Sequence, residues 1–167
     1  MRYFISFILL VNLHTLQAQP AIYMENMLTV PQGAVLDADN PAYYNDIQFN
    51  NTGGGNFQLV TAQTANLVSV DTVVINIMES FPVQVSLTVT GNKSVPCVES
   101  QTPAIGRQDN LFIVVLAETT LGPAESCIAV LDPFETTFSL DVVGLTAGTY
   151  AVSVNGTEAE FTLDVDN

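Results

Sequence analysis

Acidic side chains are the most numerous groups in this sequence that could do chemistry. They are closest together in Asp37-Ala38-Asp39-Asn40, which Asp46 follows. Oxygen ligands alternating along a loop suit calcium, which takes roughly six to eight of them from carboxylates and carbonyls. Asp and Asn are also ordinary turn residues, because their side chains hydrogen-bond to the nearby backbone. Two interpretations therefore stand: a calcium site at Asp37, Asp39 and Asp46, or a solvated turn.

The two cysteines, Cys97 and Cys127, are the other reactive groups. An even number of cysteines in an exported chain predicts a disulfide, and the chain has no Cys-x-x-Cys redox motif. On the loop-entropy model a bridge closing about 31 residues contributes roughly 3 to 4 kcal/mol to stability.

Paired carboxylates could in principle hydrolyse a glycosidic bond, which needs two acids on either side of a cleft. The candidates for such a pair lie near the cysteine loop: Glu118, Glu125, Asp132 and Glu135. No pattern in the sequence brings two of them together. The sequence therefore predicts a protein that is not an enzyme, and a hydrolase is kept only as a third class of function.

The N-terminus has the pattern of a secretory signal peptide. Met1-Arg2 is a short basic start, Tyr3 to Leu13 is apolar, and Leu16-Gln17-Ala18 ends in a small residue. Residues 1–18 are predicted to be removed. The apolar run is shorter than the roughly 20 residues that a membrane-spanning helix needs. We therefore expect an extracellular or periplasmic protein with no membrane span.

Charge excludes several classes of function. Cleavage after Ala18 removes Arg2 and His14, the only histidine, which leaves 17 acidic and 2 basic side chains and a net charge of −15. A Ser-His-Asp or Cys-His site and a His-ligated metal site cannot be built without histidine. Lys93 and Arg107 alone cannot neutralise a phosphate backbone, so nucleic acid is not an expected partner. The acidity predicts a solvated surface that keeps the protein soluble, or else binding of divalent cations.

The elements that position these groups are best defined at the last hairpin, around Asn155-Gly156. Asn-Gly is the strongest short signal for a two-residue turn, since both residues tolerate positive φ. The turn pairs Val154 with Thr157 and Tyr150 with Phe161, which fixes the register. One face of the hairpin is then predicted to be apolar: Tyr150, Val152, Val154, Ala159, Phe161, Leu163 and Val165. The other face, which includes Ser153, is predicted to face water.

The rest of the chain predicts short strands at intervals near ten residues, without helical periodicity, which is typical of an antiparallel β-sandwich. Residues 19–64 are predicted to form a small N-terminal β meander, with a strand that Pro31 stops. Residues 65–167 are predicted to form the sandwich domain, with a chain-reversing turn at Gly91-Asn92. Residues 97–109 are predicted to be a loop or a weak edge strand. Leu111 to Leu116 is apolar on both faces, so the strand should be covered on both sides.

Two stretches resemble bacterial immunoglobulin-like domains. Leu145-x-x-Gly148-x-Tyr150-x-Val152 with the Asn155-Gly156 turn looks like their E to G strands, and Phe81-Pro82-Val83-x-Val85 followed by Val89-Thr90-Gly91 looks like their A to B passage. The resemblance implies a tyrosine corner at Tyr150. It also implies that the cysteines are not the antibody-type core bridge, and that they tie the loop after strand B to the lead-in of strand E.

A second resemblance is to small secreted bacterial proteins of unassigned function. It is carried by Pro96-Cys97, by Cys127 with Asp132-Pro133-Phe134-Glu135, and by Val154-Asn155-Gly156. Neither resemblance specifies an activity, because one fold can serve many functions.

From these patterns we predict a secreted, all-β, immunoglobulin-like sandwich that acts as a non-catalytic binding or surface-structural module. It would present loops to a protein or glycan partner, with the rigid region from Cys97 to Cys127 as the contact surface. Two alternatives are a protease inhibitor that inserts a loop into a cleft, and an assembly subunit that pairs through a strand edge. The sequence does not decide between a monomer and a self-assembling protein.

Overall fold

The computed structural model describes residues 20–120 and 127–167, so the predicted signal peptide and residues 121–126 lie outside it. The described residues form β-strands and no helix. The first seven strands are β1 (Ile22–Met24), β2 (Met27–Val35), β3 (Ala42–Gly53), β4 (Asn56–Thr64), β5 (Ser69–Met78), β6 (Gln84–Lys93) and β7 (Val98–Ser100). The others are β8 (Ala104–Gln108), β9 (Leu111–Val115), β10 (Glu118–Thr120), β11 (Asp132–Leu140), β12 (Gly148–Val154) and β13 (Thr157–Leu163).

The N-terminal strands form the predicted meander, an antiparallel sheet in the order β1-β2-β3-β4. β1 was not predicted, and β2 is longer than expected because it continues through Pro31. Val30 pairs with Ile47 and Gln32 with Asn45, so only the position of Pro31 is left without ladder pairing to β3. Proline is tolerated here because β1 has already ended: its last partners on β2 are residues 27–29.

Two further sheets, β11-β6-β5 and β13-β12-β9-β8, pack face to face and enclose the main core. Its largest side chains include Leu87, Phe112, Leu140, Tyr150 and Phe161. The architecture is all-β and consistent with an immunoglobulin-like sandwich. Most neighbouring strands are antiparallel, but β12 and β9 are parallel, because the β8–β9 hairpin places its second strand beside β12.

The last hairpin confirms the predicted register, with Val154 opposite Thr157 and Tyr150 opposite Phe161. The Tyr150 hydroxyl donates a 2.8 Å hydrogen bond to the carbonyl oxygen of Thr146, as a tyrosine corner requires. Two residues differ from the prediction. Val165 is exposed because β13 ends at Leu163, and Ser153, predicted to face water, is buried.

β9 has a covered layer on each face, as its apolar sequence predicted. Val114 belongs to the main core, while Val115 belongs to a second cluster with Tyr43 of the meander. Leu36 and Leu67 pack against that second cluster. The meander therefore rests on the outer face of the sandwich.

Gly91 does not turn the chain, contrary to the prediction. It lies inside β6, paired with Phe134 of β11 on one side and with Val70 of β5 on the other. A β-bulge follows on β5, where the register shifts between Val70 and Thr72. A Cβ atom at position 91 would overlap the carbonyl oxygen of Ser69, so the glycine provides room for a close backbone approach.

Asn155 does more than form the turn. Its φ is 48°, as the predicted turn requires. Its side-chain oxygen accepts a 2.9 Å bond from the Leu116 N–H, and its amide nitrogen donates to the carbonyl oxygens of Leu116 (2.8 Å) and Val68 (3.0 Å). One side chain thus satisfies backbone groups where β9 ends and where β5 is about to begin.

Asn155→Gly should separate these two roles, because glycine tolerates the turn conformation but makes no side-chain bonds. We expect a loss of about 2 to 4 kcal/mol in the free energy of unfolding, since buried backbone groups lose their partners. Urea denaturation measures it. A loss below about 0.5 kcal/mol would show that the turn alone explains the residue.

Candidate functional site

Four consecutive apolar residues are exposed just before β11. We name Ile128-Ala129-Val130-Leu131 the apolar loop. Ile128 is 70% exposed and Leu131 is 63% exposed, and none of the four lies in a strand. Scattered single apolar residues are normal on a surface, but a contiguous exposed run points to an interaction site.

A disulfide holds the N-terminal end of the apolar loop. Cys127 is bonded to Cys97, with 6.0 Å between their Cα atoms, so the predicted bridge is confirmed. Cys97 lies in the turn between β6 and β7, and Cys127 precedes β11. The bridge therefore joins the two places that the immunoglobulin resemblance implied, the exit from one strand and the approach to another.

An ion pair holds the other end. Asp132, the first residue of β11, lies directly opposite Lys93 of β6, and the Lys93 ammonium is 2.9 Å from its carboxylate. Glu99 lies 3.7 Å from the same ammonium. The Lys93 side chain is only 9% exposed, so this pair is shielded from water and salt more than a surface pair is. The apolar loop thus runs between a covalent anchor and an electrostatic one.

A network of buried polar groups begins at Ser94, next to Lys93 in the sequence. Glu118, on β10, is only 5% exposed, and its carboxylate accepts bonds from the Ser94 N–H and, at 2.6 Å, from the Ser94 hydroxyl. Gln101 donates to the Glu118 carbonyl oxygen and accepts from Gln32 on the meander, each at 3.0 Å. Among the described residues every fully buried side-chain nitrogen or oxygen has a hydrogen-bond partner. Satisfied networks of this kind make a region rigid.

Stability should fall at alkaline pH through Lys93. The hydrogen bond that the Lys93 ammonium donates to the Asp132 carboxylate raises the pKa of Lys93 above its ordinary value near 10.5. A raised folded-state pKa gives stability that is complete below the unfolded pKa and is lost as pH rises through the folded one. We therefore expect the urea midpoint of wild type to drop above about pH 10.

Lys93→Met should be less stable at neutral pH and lose part of this alkaline dependence. Burial also raises the pKa of Tyr43, so Tyr43 contributes a further loss of stability as pH rises. Tyr43→Phe is therefore the matched control, because it should remove the share of the alkaline dependence that belongs to Tyr43. A Lys93→Met protein with an unchanged alkaline profile would contradict the assignment to Lys93.

The acids proposed for other chemistry are not assembled into a site. Asp37 accepts hydrogen bonds from the N–H groups of Asp39 (2.9 Å) and Asn40 (3.2 Å), which is an ordinary turn. Asp46 is an exposed residue of β3 with a φ of 51°. Within residues 20–120 and 127–167 no three His, Cys, Asp or Glu residues form a group that could hold a metal. Calcium binding at Asp37, Asp39 and Asp46 stays a prediction, and these three residues do not form a set of metal ligands.

The four candidate acids for hydrolysis have separate surroundings. Glu118 is bonded to Ser94, Asp132 is paired with Lys93, and Glu135 is exposed in the β11 edge strand. Glu125 lies outside the described residues. No pair of carboxylates facing a cleft is found among the three that are described.

The comparison with known proteins gave one family. The family model described as the ORF11 beta-sandwich domain matches residues 87–163. The matched region extends from within β6 to the end of β13 and contains the apolar loop and both of its anchors. It covers 77 of the 167 residues and supports the β-sandwich, while the meander and β5 lie outside the match. No curated protein and no solved structure gave a match.

The predicted contact surface, from Cys97 to Cys127, is only partly irregular. It contains β7 to β10, and β9 is in the core. Residues 97–109 were predicted to be a loop or a weak edge strand, and β8 within them is an edge strand. The exposed apolar residues begin one position after Cys127, at Ile128. The described part of the chain contains no helix long and apolar enough to cross a membrane.

Proposed function

We propose that this protein is a secreted, non-catalytic binding module that presents the apolar loop to a partner protein. The observation that carries the proposal is a run of four exposed apolar residues fixed at both ends, by Cys127 and by Asp132. Exposing such a run costs solubility, so its presence on a very acidic chain favours a binding role.

The two anchors of the apolar loop favour binding, because a flexible loop loses conformational entropy when a complex forms. An immobilised side chain costs about 0.5 to 1.5 kcal/mol when a complex forms, and a loop that is already held loses less. The disulfide and the ion pair between buried Lys93 and half-buried Asp132 both reduce that cost. Ile128, Val130 and Leu131 are the residues that we expect to enter an apolar recess on the partner, because such anchors contribute most of the binding energy.

The partner is proposed to be a protein rather than a glycan. Sugar sites generally offer aromatic faces and polar groups, and the apolar loop supplies only aliphatic side chains. Secretion rests on the predicted signal peptide and agrees with the disulfide, which forms and persists in oxidising compartments.

The proposal is tested with a charge placed in the loop. Leu131→Glu should abolish capture of the partner from the native secretions, since it would place a carboxylate in an apolar recess. Val143→Glu is the matched control, because Val143 is 68% exposed and precedes the β12 hairpin, in a different part of the sequence. A protein that wild type and Val143→Glu both retain and Leu131→Glu loses would be the partner. Equal capture by all three proteins would contradict the proposal.

A further inference from the structure

β4 is an unpaired edge of the meander. It lies last in the order β1-β2-β3-β4 and is hydrogen-bonded only to β3. Eight of its nine residues are exposed, among them Phe57, Leu59 and Val60 at 45 to 56%. An exposed strand edge presents a row of free N–H and C=O groups that can pair with another strand.

The edge lacks three of the usual protections, which are charge, proline and short length. Natural edge strands are kept from pairing by charges, prolines or short length, and the other edges in the described residues have one of these. β5 has Asp71, β8 has Arg107, β11 has Pro133 and Glu135, β13 has Glu158 and Glu160, and β1, β7 and β10 have three residues each. β4 has nine residues without charge or proline. Its ladder with β3 contains three register shifts, between Asn45 and Gln48, between Gln48 and Phe49 and between Asn51 and Gly53, so irregular pairing is the protection that this edge does have.

The distribution of charge indicates that the partner of β4 is a second copy of this chain. The chain has 17 acidic and 3 basic side chains, yet residues 47–70 contain no charged side chain at all. Two copies of so acidic a protein repel one another over most of their surface. The part of the β3–β4 hairpin from Ile47 onward is uncharged, so it is where two copies can meet without opposed carboxylates.

The residues of β4 also fit a second copy of themselves. Antiparallel pairing of two β4 strands about a two-fold axis at Gln58 would place Phe57 of each copy opposite Leu59 of the other. An aromatic residue opposite an aliphatic one is a favourable cross-strand pair. Leu59 already continues an apolar row across the meander, through Phe49, Leu28 and Tyr23, and pairing would add Phe57 of the second copy to that row.

We propose that β4 is a self-association edge through which two copies of this chain form an eight-stranded sheet, with the two-fold axis at Gln58. This surface is separate from the apolar loop, so the proposal goes beyond the proposed function and stands without it. Symmetric pairing of identical strands is isologous, so it closes at the dimer and does not continue into a filament.

The test is sedimentation velocity on residues 19–167, the predicted mature chain, from about 1 μM to 1 mM, the range in which weak strand pairing is populated. Wild type should change from monomer to dimer over this range. Gln58 is exposed, so Gln58→Glu should leave the urea midpoint unchanged. It should weaken dimerisation about tenfold or more, because two carboxylates would face each other on the axis. Gln63→Glu, with the same charge change on the same strand but outside the paired residues 56–60, should dimerise like wild type.

A charge swap locates the axis. Gln58→Lys alone should also be monomeric, and an equimolar mixture of Gln58→Lys with Gln58→Glu should form a heterodimer. A wild type that stays monomeric up to 1 mM overturns the proposal. So does a dimer that Gln58→Glu leaves intact, or a mixture that stays monomeric. A dimer lost equally in Gln63→Glu overturns the register.

Discussion

Gly91→Ala should destabilise the protein by about 3 kcal/mol, although alanine is the better residue in a strand. Replacing a strand glycine by alanine usually gains roughly 0.5 to 1 kcal/mol through the lower entropy of the unfolded chain. Here the added methyl group would overlap the carbonyl oxygen of Ser69, with the ring of Phe134 on its other side. A backbone atom cannot move aside cheaply, so overpacking determines the sign.

Gly33→Ala is the matched control. Gly33 is also a strand glycine, but its new Cβ would meet only the end of the Ile47 side chain, at 2.7 Å, which can rotate away. We expect this variant to stay within about 1 kcal/mol of wild type in urea denaturation. Equal effects of the two substitutions would show that backbone crowding at the β5 bulge is not what requires glycine at position 91.

Removing the disulfide should have an effect of similar size. Cys97→Ser with Cys127→Ser frees a loop of about 31 residues in the unfolded chain, for which the loop-entropy model gives a loss of roughly 3 to 4 kcal/mol. The change should appear as a lower urea midpoint, measured at neutral pH. Wild type treated with a reductant should fall to the same midpoint, and the double variant should not respond to the reductant.

The same variant should also bind its partner less well while still folded. Without Cys97 the N-terminal end of the apolar loop is free, so binding would have to order it. We expect about a tenfold loss in affinity, measured well below the denaturation midpoint, because ordering one or two side chains costs that much. A reduced, folded protein that binds as tightly as the oxidised one would show that the anchor contributes only to stability.

Features of the fold that depend on neighbouring residues in the sequence were predicted correctly. Asn155-Gly156 fixed the register of the last hairpin, because a two-residue turn leaves no freedom in the pairing. Leu111 to Leu116 indicated a strand covered on both faces, and Val114 and Val115 do belong to different apolar clusters. The even cysteine count indicated the bridge.

The failures involve contacts between residues distant in the sequence. Glycine at 91 looks like a turn residue because positive φ and crowding both select glycine, and only the position of Ser69, 22 residues earlier, distinguishes them. The Asn155 side chain bonds to residues 39 and 87 positions away, which no sequence window contains. Ser153 was assigned to water because it alternates with Val152 and Val154, and nothing in the local sequence shows that its face of the hairpin is covered as well.

The apolar loop was missed because its local sequence is misleading. An apolar run such as Ile128 to Leu131 ordinarily predicts burial, so the sequence pointed to the irregular region before Cys127. The structure shows why Ile128 to Leu131 are exposed: β11 begins only at Asp132, which is paired with Lys93, so the four residues lie outside the strand. An apolar run between a cysteine and a strand start is the signal that could have located it.

Site-specific photo-crosslinking tests the central claim, that the apolar loop is the binding surface, most directly. A photoreactive amino acid at Val130 should form a covalent adduct with one protein of the native secretions, and the same amino acid at Val143 should not. The adduct should disappear when Leu131→Glu is added. An adduct at Val143 but not at Val130, or one at Val130 that survives Leu131→Glu, would contradict the account.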